Sequence, residues 1–205
     1  MTYRFTEDVR TTFAPPRDGA LLLFAVIACG YIVSFVIPVS QLFGIPTTSA
    51  PIVSYLTYAW FHTEYWHAGF NLLGLWLIGR FVGEVLAGWA MWLCYVVSAA
   101  LTALTIDILC PERSLMIVGA SGGLCGLLGW WLGVRLQHVV LPLIVAGVLW
   151  GLDFQIDRQP TMNLWTSVLY HAVPMVSMWF LGAGFTSFSS GDESQVMSDD
   201  DTTDF

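Results

Sequence analysis

Residues 119–136 read GASGGLCGLLGWWLGVRL, an apolar run in which Gly119, Gly122, Gly126, Gly129 and Gly133 recur at spacings of three, four, three and four. On a helix this spacing gathers the glycines along one face. The result is a stripe without side chains, against which a second membrane helix can lie closely. The partner it favours is the last apolar window of the chain, where Ala172, Ser177, Gly182 and Gly184 are also small. A glycine-rich apolar helix of this kind suits hydrocarbon better than water.

The rest of the chain agrees. Of its 205 residues, 56% are hydrophobic and 11% charged, against roughly 25% charged in soluble domains, and mean hydropathy is +0.69. A spanning helix needs about 20 apolar residues. The sequence offers six windows, at 19–42, 65–87, 89–109, 119–136, 138–154 and 165–185, which predict an all-α polytopic membrane protein with a six-helix bundle. Gly44 to Pro51, Cys110 to Arg113 and Asp157 to Pro160 carry the Pro, Gly and charged residues that separate windows. The expected organisation is a cytoplasmic segment at 1–18, a membrane domain at 19–185 and a disordered acidic tail at 186–205. Six of the fifteen carboxylates lie in the last fourteen residues, so much of the net charge of -8 belongs to that tail.

Seven arginines and no lysine leave no basic patch for nucleic acid. Arg4, Arg10, Arg17, Arg80 and Arg135 fall on one side of the six-window topology, with Arg113 and Arg158 on the other. The positive-inside bias therefore predicts cytoplasmic termini in a plasma-membrane protein. Four cysteines, at 29, 94, 110 and 125, lack metal-like pairing and read as apolar fillers. No cleavable signal peptide is expected, and no metal or other cofactor is implied.

In this topology the second, fourth and sixth windows start in the same leaflet, and their starts hold His67 and Asn71, Ser121, and His171. Ionisable or hydrogen-bonding groups within a span are costly unless they meet partners or a cavity, which makes them functional candidates. His67 and Asn71, four residues apart, share a helix face. Ser121 stands where a helix begins, among N–H groups with no intrahelical acceptor and a partial positive charge suited to an oxyanion. A serine becomes a strong nucleophile only when a base takes its proton, and His171 is the candidate base. The competing readings are ordinary ones. Serine and glycine are common packing residues in spans, Asn71 could serve an interhelical hydrogen bond, and His62 reads as exposed and structural. His138 falls in the wrong leaflet, while Glu84 and Asp107 read as hydrogen-bonding residues near helix ends.

These segments together resemble the rhomboid family of intramembrane serine proteases. Gly119-Ala120-Ser121-Gly122 with Gly126 and Gly129 is similar to the family's nucleophile segment, His67-x-x-x-Asn71 preceded by His62 to its second-helix entry, and Tyr170-His171 to the start of its last helix. The resemblance spans about residues 55–185. It implies a Ser121/His171 dyad, an oxyanion site from His67, Asn71 and the Ser121 N–H with Gly119 and Gly122 as supporting backbone, and single-span membrane proteins as substrates. It says nothing of the oligomeric state. The chain departs from the family pattern at Cys125, where an aromatic ring usually stacks on the histidine, and at Pro174 and Met178, where glycines usually follow it. The Trp-Arg pair of the first outer loop is missing, and Glu84 lies about one residue late. Two alternatives follow from the same residues: a catalytically weak or inactive rhomboid-like protein that binds membrane proteins, and a small transporter that uses the histidines as a proton relay. The latter predicts inverted repeats, which the sequence does not display.

Overall fold

Long apolar runs without interior proline set most of the helices. The computed structural model describes residues 18–44, 52–109, 117–136 and 164–196. Within them the order is α1 (Asp18–Val33), α2 (Val39–Phe43), α3 (Ser54–Thr57), a 3-10 turn (Tyr58–Trp60), α4 (Tyr65–Val82), α5 (Gly88–Leu109), α6 (Ser121–Leu136) and α7 (Leu164–Val196). No strand occurs among the described residues. The segments Gly88–Leu109 and Val168–Thr186 are long and apolar enough to cross a membrane, and Gly19–Val33 is apolar but shorter. The window at 138–154, with His138, lies outside the described residues, as do Arg113, Arg158, residues 1–17 and the end of the acidic tail.

Two boundaries differ from the sequence expectation. The window at 19–42 breaks after Val33, because Pro38 has no N–H and disfavours helical backbone at Ile37. Turns through Ser34–Ile37 bridge to α2, with the Ser34 hydroxyl donating to the Gly30 carbonyl. At the other end α7 runs past residue 185 to Val196, since no proline after Pro174 interrupts it. The first part of the segment read as disordered is therefore helical.

The lipid-facing and inward-facing sides of the helices are both apolar. On α4, Ala68, Leu75 and Val82 are buried while Phe70, Leu73, Leu77 and Phe81 are exposed. On α5, Met91, Tyr95, Ala99, Ala103 and Ile106 form a buried stripe, and Trp89, Leu93, Val97, Leu104 and Ile108 face outward. A water-soluble protein rarely exposes such contiguous apolar surface, whereas hydrocarbon accepts it. Within α5 the Ser98, Thr102 and Thr105 hydroxyls donate to the carbonyls of Cys94, Ser98 and Leu101.

The glycine stripe of α6 sets the closest helix contact. A Cβ at Gly129 would overlap the Met175 carbonyl, one at Gly133 the Trp179 carbonyl, and one at Gly126 the Ser98 side chain. In return, a Cβ at Gly182 on α7 would come within 2.6 Å of the Trp130 carbonyl. Backbone thus meets backbone along α6 and α7, the partner helix the small residues favoured. Gly184 meets nothing within 4 Å. Gly129→Ala should accordingly cost about 1–3 kcal/mol by overpacking and lower the thermal midpoint in detergent, while Gly184→Ala should leave it in place. Equal midpoints for the two variants would refute this account of the packing.

Candidate active site

Ser121 opens α6 at the end of a turn that only glycine can make. Gly119 has φ +139°, a conformation L side chains rarely adopt. A Cβ there would also stand 2.6 Å from His67 Cε1, so the absent side chain is what lets the His67 ring approach. The turn is tied down by the Gly119 N–H, which donates to the Tyr58 carbonyl at 3.1 Å. The helical ladder begins with the Leu124 N–H donating to the Ala120 carbonyl. The N–H groups of Ser121, Gly122 and Gly123 therefore fall in the first turn, where no intrahelical acceptor exists.

His171, 3% exposed, comes from the first part of α7. Its Nε2 lies 3.0 Å from Ser121 Oγ. With the hydroxyl as donor to Nε2, the ring proton resides on Nδ1. The Tyr170 ring lies beside the imidazole, 4.1 Å between centroids at 40°. Cys125 is buried and packs with Met175, Leu128 and Ala172.

Asn71 and His67 share one face of α4 but meet different partners. Asn71, 6% exposed, places Nδ2 3.0 Å from His62 Nε2. The same nitrogen accepts from the Ala120 N–H at 3.2 Å. A backbone N–H can only donate, so Nε2 carries no proton, Asn71 also donates, and the His62 proton is on Nδ1. His62 is 0% exposed, which corrects the expectation of an exposed side chain. It follows directly on Phe61 and the 3-10 turn, which is packed against α5. The Tyr58 hydroxyl donates to the Ala99 carbonyl at 2.9 Å and the Tyr95 hydroxyl to the Ala59 carbonyl at 2.8 Å, pinning that turn to α5. The His62 and His67 rings meet edge to face, 5.1 Å between centroids.

The family model for the rhomboid domain covers residues 50–188. The chain belongs to the rhomboid family. Comparison with curated proteins finds no match. Rhomboids are membrane-embedded and generally serine intramembrane proteases that act on membrane proteins within the bilayer. Against that rhomboid pattern, the departures acquire physical neighbours. The ring missing at Cys125 has a counterpart in Tyr170, on the histidine's own helix. Close approach of the two helices, which glycines after the histidine would allow, comes here from glycines on α6, and Met178 Cγ lies 3.4 Å from the Cβ position of Gly126.

Elsewhere, Glu84 pairs with Arg135 at 3.2 Å between the ends of α4 and α6, and both are well exposed. This Glu84 is thus a surface ion-pair residue rather than a buried one. Asp107 accepts from the Tyr55 hydroxyl at 2.7 Å, a hydrogen bond of the kind its position suggested. Neither belongs to the histidine cluster.

Burial lowers the His62 pKa from 6.5 to about 3, with His67 adding to the effect. The unfolded chain, whose histidine charges below about pH 6.5, then binds a proton that the folded protein refuses. The folding stability present above that pH should decline as pH falls from about 6.5 toward 3. His62→Gln keeps an acceptor but does not titrate. It should flatten this part of the curve, as read from thermal midpoints between pH 7 and 4; parallel curves for the two proteins would assign the decline to other groups.

Proposed function

We propose that this rhomboid is a serine endopeptidase that cleaves transmembrane protein substrates near the outer membrane face, with Ser121 as nucleophile and His171 as general base. The observation that carries the reading is the 3.0 Å separation of Ser121 Oγ and His171 Nε2, across two helices, at the start of α6. That distance lies within hydrogen-bond reach for proton transfer. Ser121 attacks the scissile carbonyl as His171 accepts its proton, and His171 returns the proton to the leaving amine. The oxyanion is held by the Ser121 N–H, by His67 and by Asn71. Asn71 has two amide hydrogens, so one can serve the oxyanion while the other stays on His62. Donors of this kind each contribute about 3 kcal/mol to the transition state. Water then hydrolyses the acyl-enzyme.

Retention of both Ser121 and His171 favours cleavage over a purely binding role. Wild-type protein should react with a fluorophosphonate probe and cut members of a panel of single-span substrates. Ser121→Ala should abolish both, and His171→Ala should slow cleavage by about 10³-fold or more. Cleavage by Ser121→Ala at the wild-type rate would sink the proposal. The orientation that goes with it, termini in the cytoplasm of a plasma-membrane protein, follows from Arg80 and Arg135 in the last turns of α4 and α6. A protease-sensitive tag ahead of Met1 should stay protected in intact cells, and digestion of the tag would reverse the topology.

A further inference from the structure

Pro174 sits inside α7, three residues after His171. Proline has no N–H, so the Tyr170 carbonyl loses the donor that an uninterrupted helix would supply from position 174. This carbonyl precedes the candidate base directly. In the structure it accepts from a hydroxyl on another helix, Thr102 Oγ1 of α5, at 3.2 Å. Thr102 is 2% exposed, and the same hydroxyl points to the Ser98 carbonyl at 3.0 Å, so its single hydrogen is shared between its own helix and α7. Its second contact lies on the other side of the site. A Cβ at Gly122 would overlap Thr102 Oγ1, Cβ and Cγ2, so this side chain bears directly on the backbone that follows Ser121.

We propose that Thr102 is a positioning residue, which replaces the helical donor lost at Pro174 and holds the segments carrying Ser121 and His171 in register from a third helix. The inference rests on the reading of Ser121 and His171 as the reacting pair. Neighbouring hydroxyls lack this geometry, since those of Ser98 and Thr105 return to the Cys94 and Leu101 carbonyls of α5. The Thr102 methyl and hydroxyl divide the work. The methyl, Cβ and Oγ1 all lie beside Gly122, and the hydroxyl alone also reaches the Tyr170 carbonyl. Valine would keep the first contact and lose the second.

A double-mutant cycle between Thr102 and Pro174 tests this, in purified full-length protein cleaving a single-span substrate. Thr102→Val should lower kcat about tenfold with KM unchanged, the scale of one neutral hydrogen bond, and Thr102→Ser should recover most of the loss. In a Pro174→Ala background, where position 174 again supplies an N–H to Tyr170, Thr102→Val should lower kcat by less than about threefold. An equal loss in both backgrounds would show that the hydroxyl acts through a group other than the Tyr170 carbonyl and overturn the proposal, as would wild-type kcat for Thr102→Val. A Thr102→Val chain that folds only together with Pro174→Ala supports it, and one that folds in neither background overturns it. Thermal midpoints of the same four proteins should show the same coupling without reference to activity. Absence of Ser121-dependent cleavage in the wild type would therefore overturn the protease reading, while the midpoints still decide the Thr102 bond.

Discussion

Everything at the site depends on how closely α6 and α7 approach. Side chains normally hold packed helices 8–10 Å apart, and in a membrane no hydrophobic force drives helices together. The glycine stripe of α6 removes that spacing, so the Met175 and Trp179 carbonyls of α7 lie where side chains would otherwise be. Ser121 and His171 lie at corresponding ends of this contact. Their 3.0 Å separation is therefore a consequence of packing that begins about two turns deeper, at Gly129 and Gly133.

Close packing has a polar corollary. In hydrocarbon a donor or acceptor without a partner costs several kcal/mol, so each buried polar group near the site carries positional information. Tyr58 and Tyr95 exchange hydrogen bonds between the 3-10 turn and α5. His62 gathers the Asn71 amide and the Ala120 N–H on one nitrogen, linking α4 to the turn before Ser121. These bonds join segments distant in sequence. They make the turn before Ser121 a node where the 3-10 turn, α4 and α6 meet.

The chain also illustrates how a family's geometry survives changed residues. Small residues that the pattern places after the histidine are supplied by the opposite helix. Tyr170 lies against the imidazole from within α7. A proline beside His171, which removes one helical N–H, coincides with a hydroxyl on α5 that donates to the Tyr170 carbonyl.

Much was legible in the sequence because it depends on local pattern. Apolar windows without polar faces require a hydrocarbon surround, and the three-four spacing of glycines requires a close helical partner. Gly119-Ala120-Ser121-Gly122, His67, Asn71 and His171 stood out because polar groups are rare in such windows. The break at Pro38 was also local, yet an apolar run of the right length masked it. What only the tertiary structure decided concerns contacts between elements. Nothing in the sequence around His62 marks it as buried, since burial arises where the 3-10 turn is pinned to α5 by Tyr58 and Tyr95 and the imidazole meets Asn71 and the Ala120 N–H. Nothing in the sequence singles out Thr102, because its second acceptor lies 68 residues away. Local periodicity determines which face of a helix seeks a partner, but the side chains that meet across that face depend on where every other helix has come to rest.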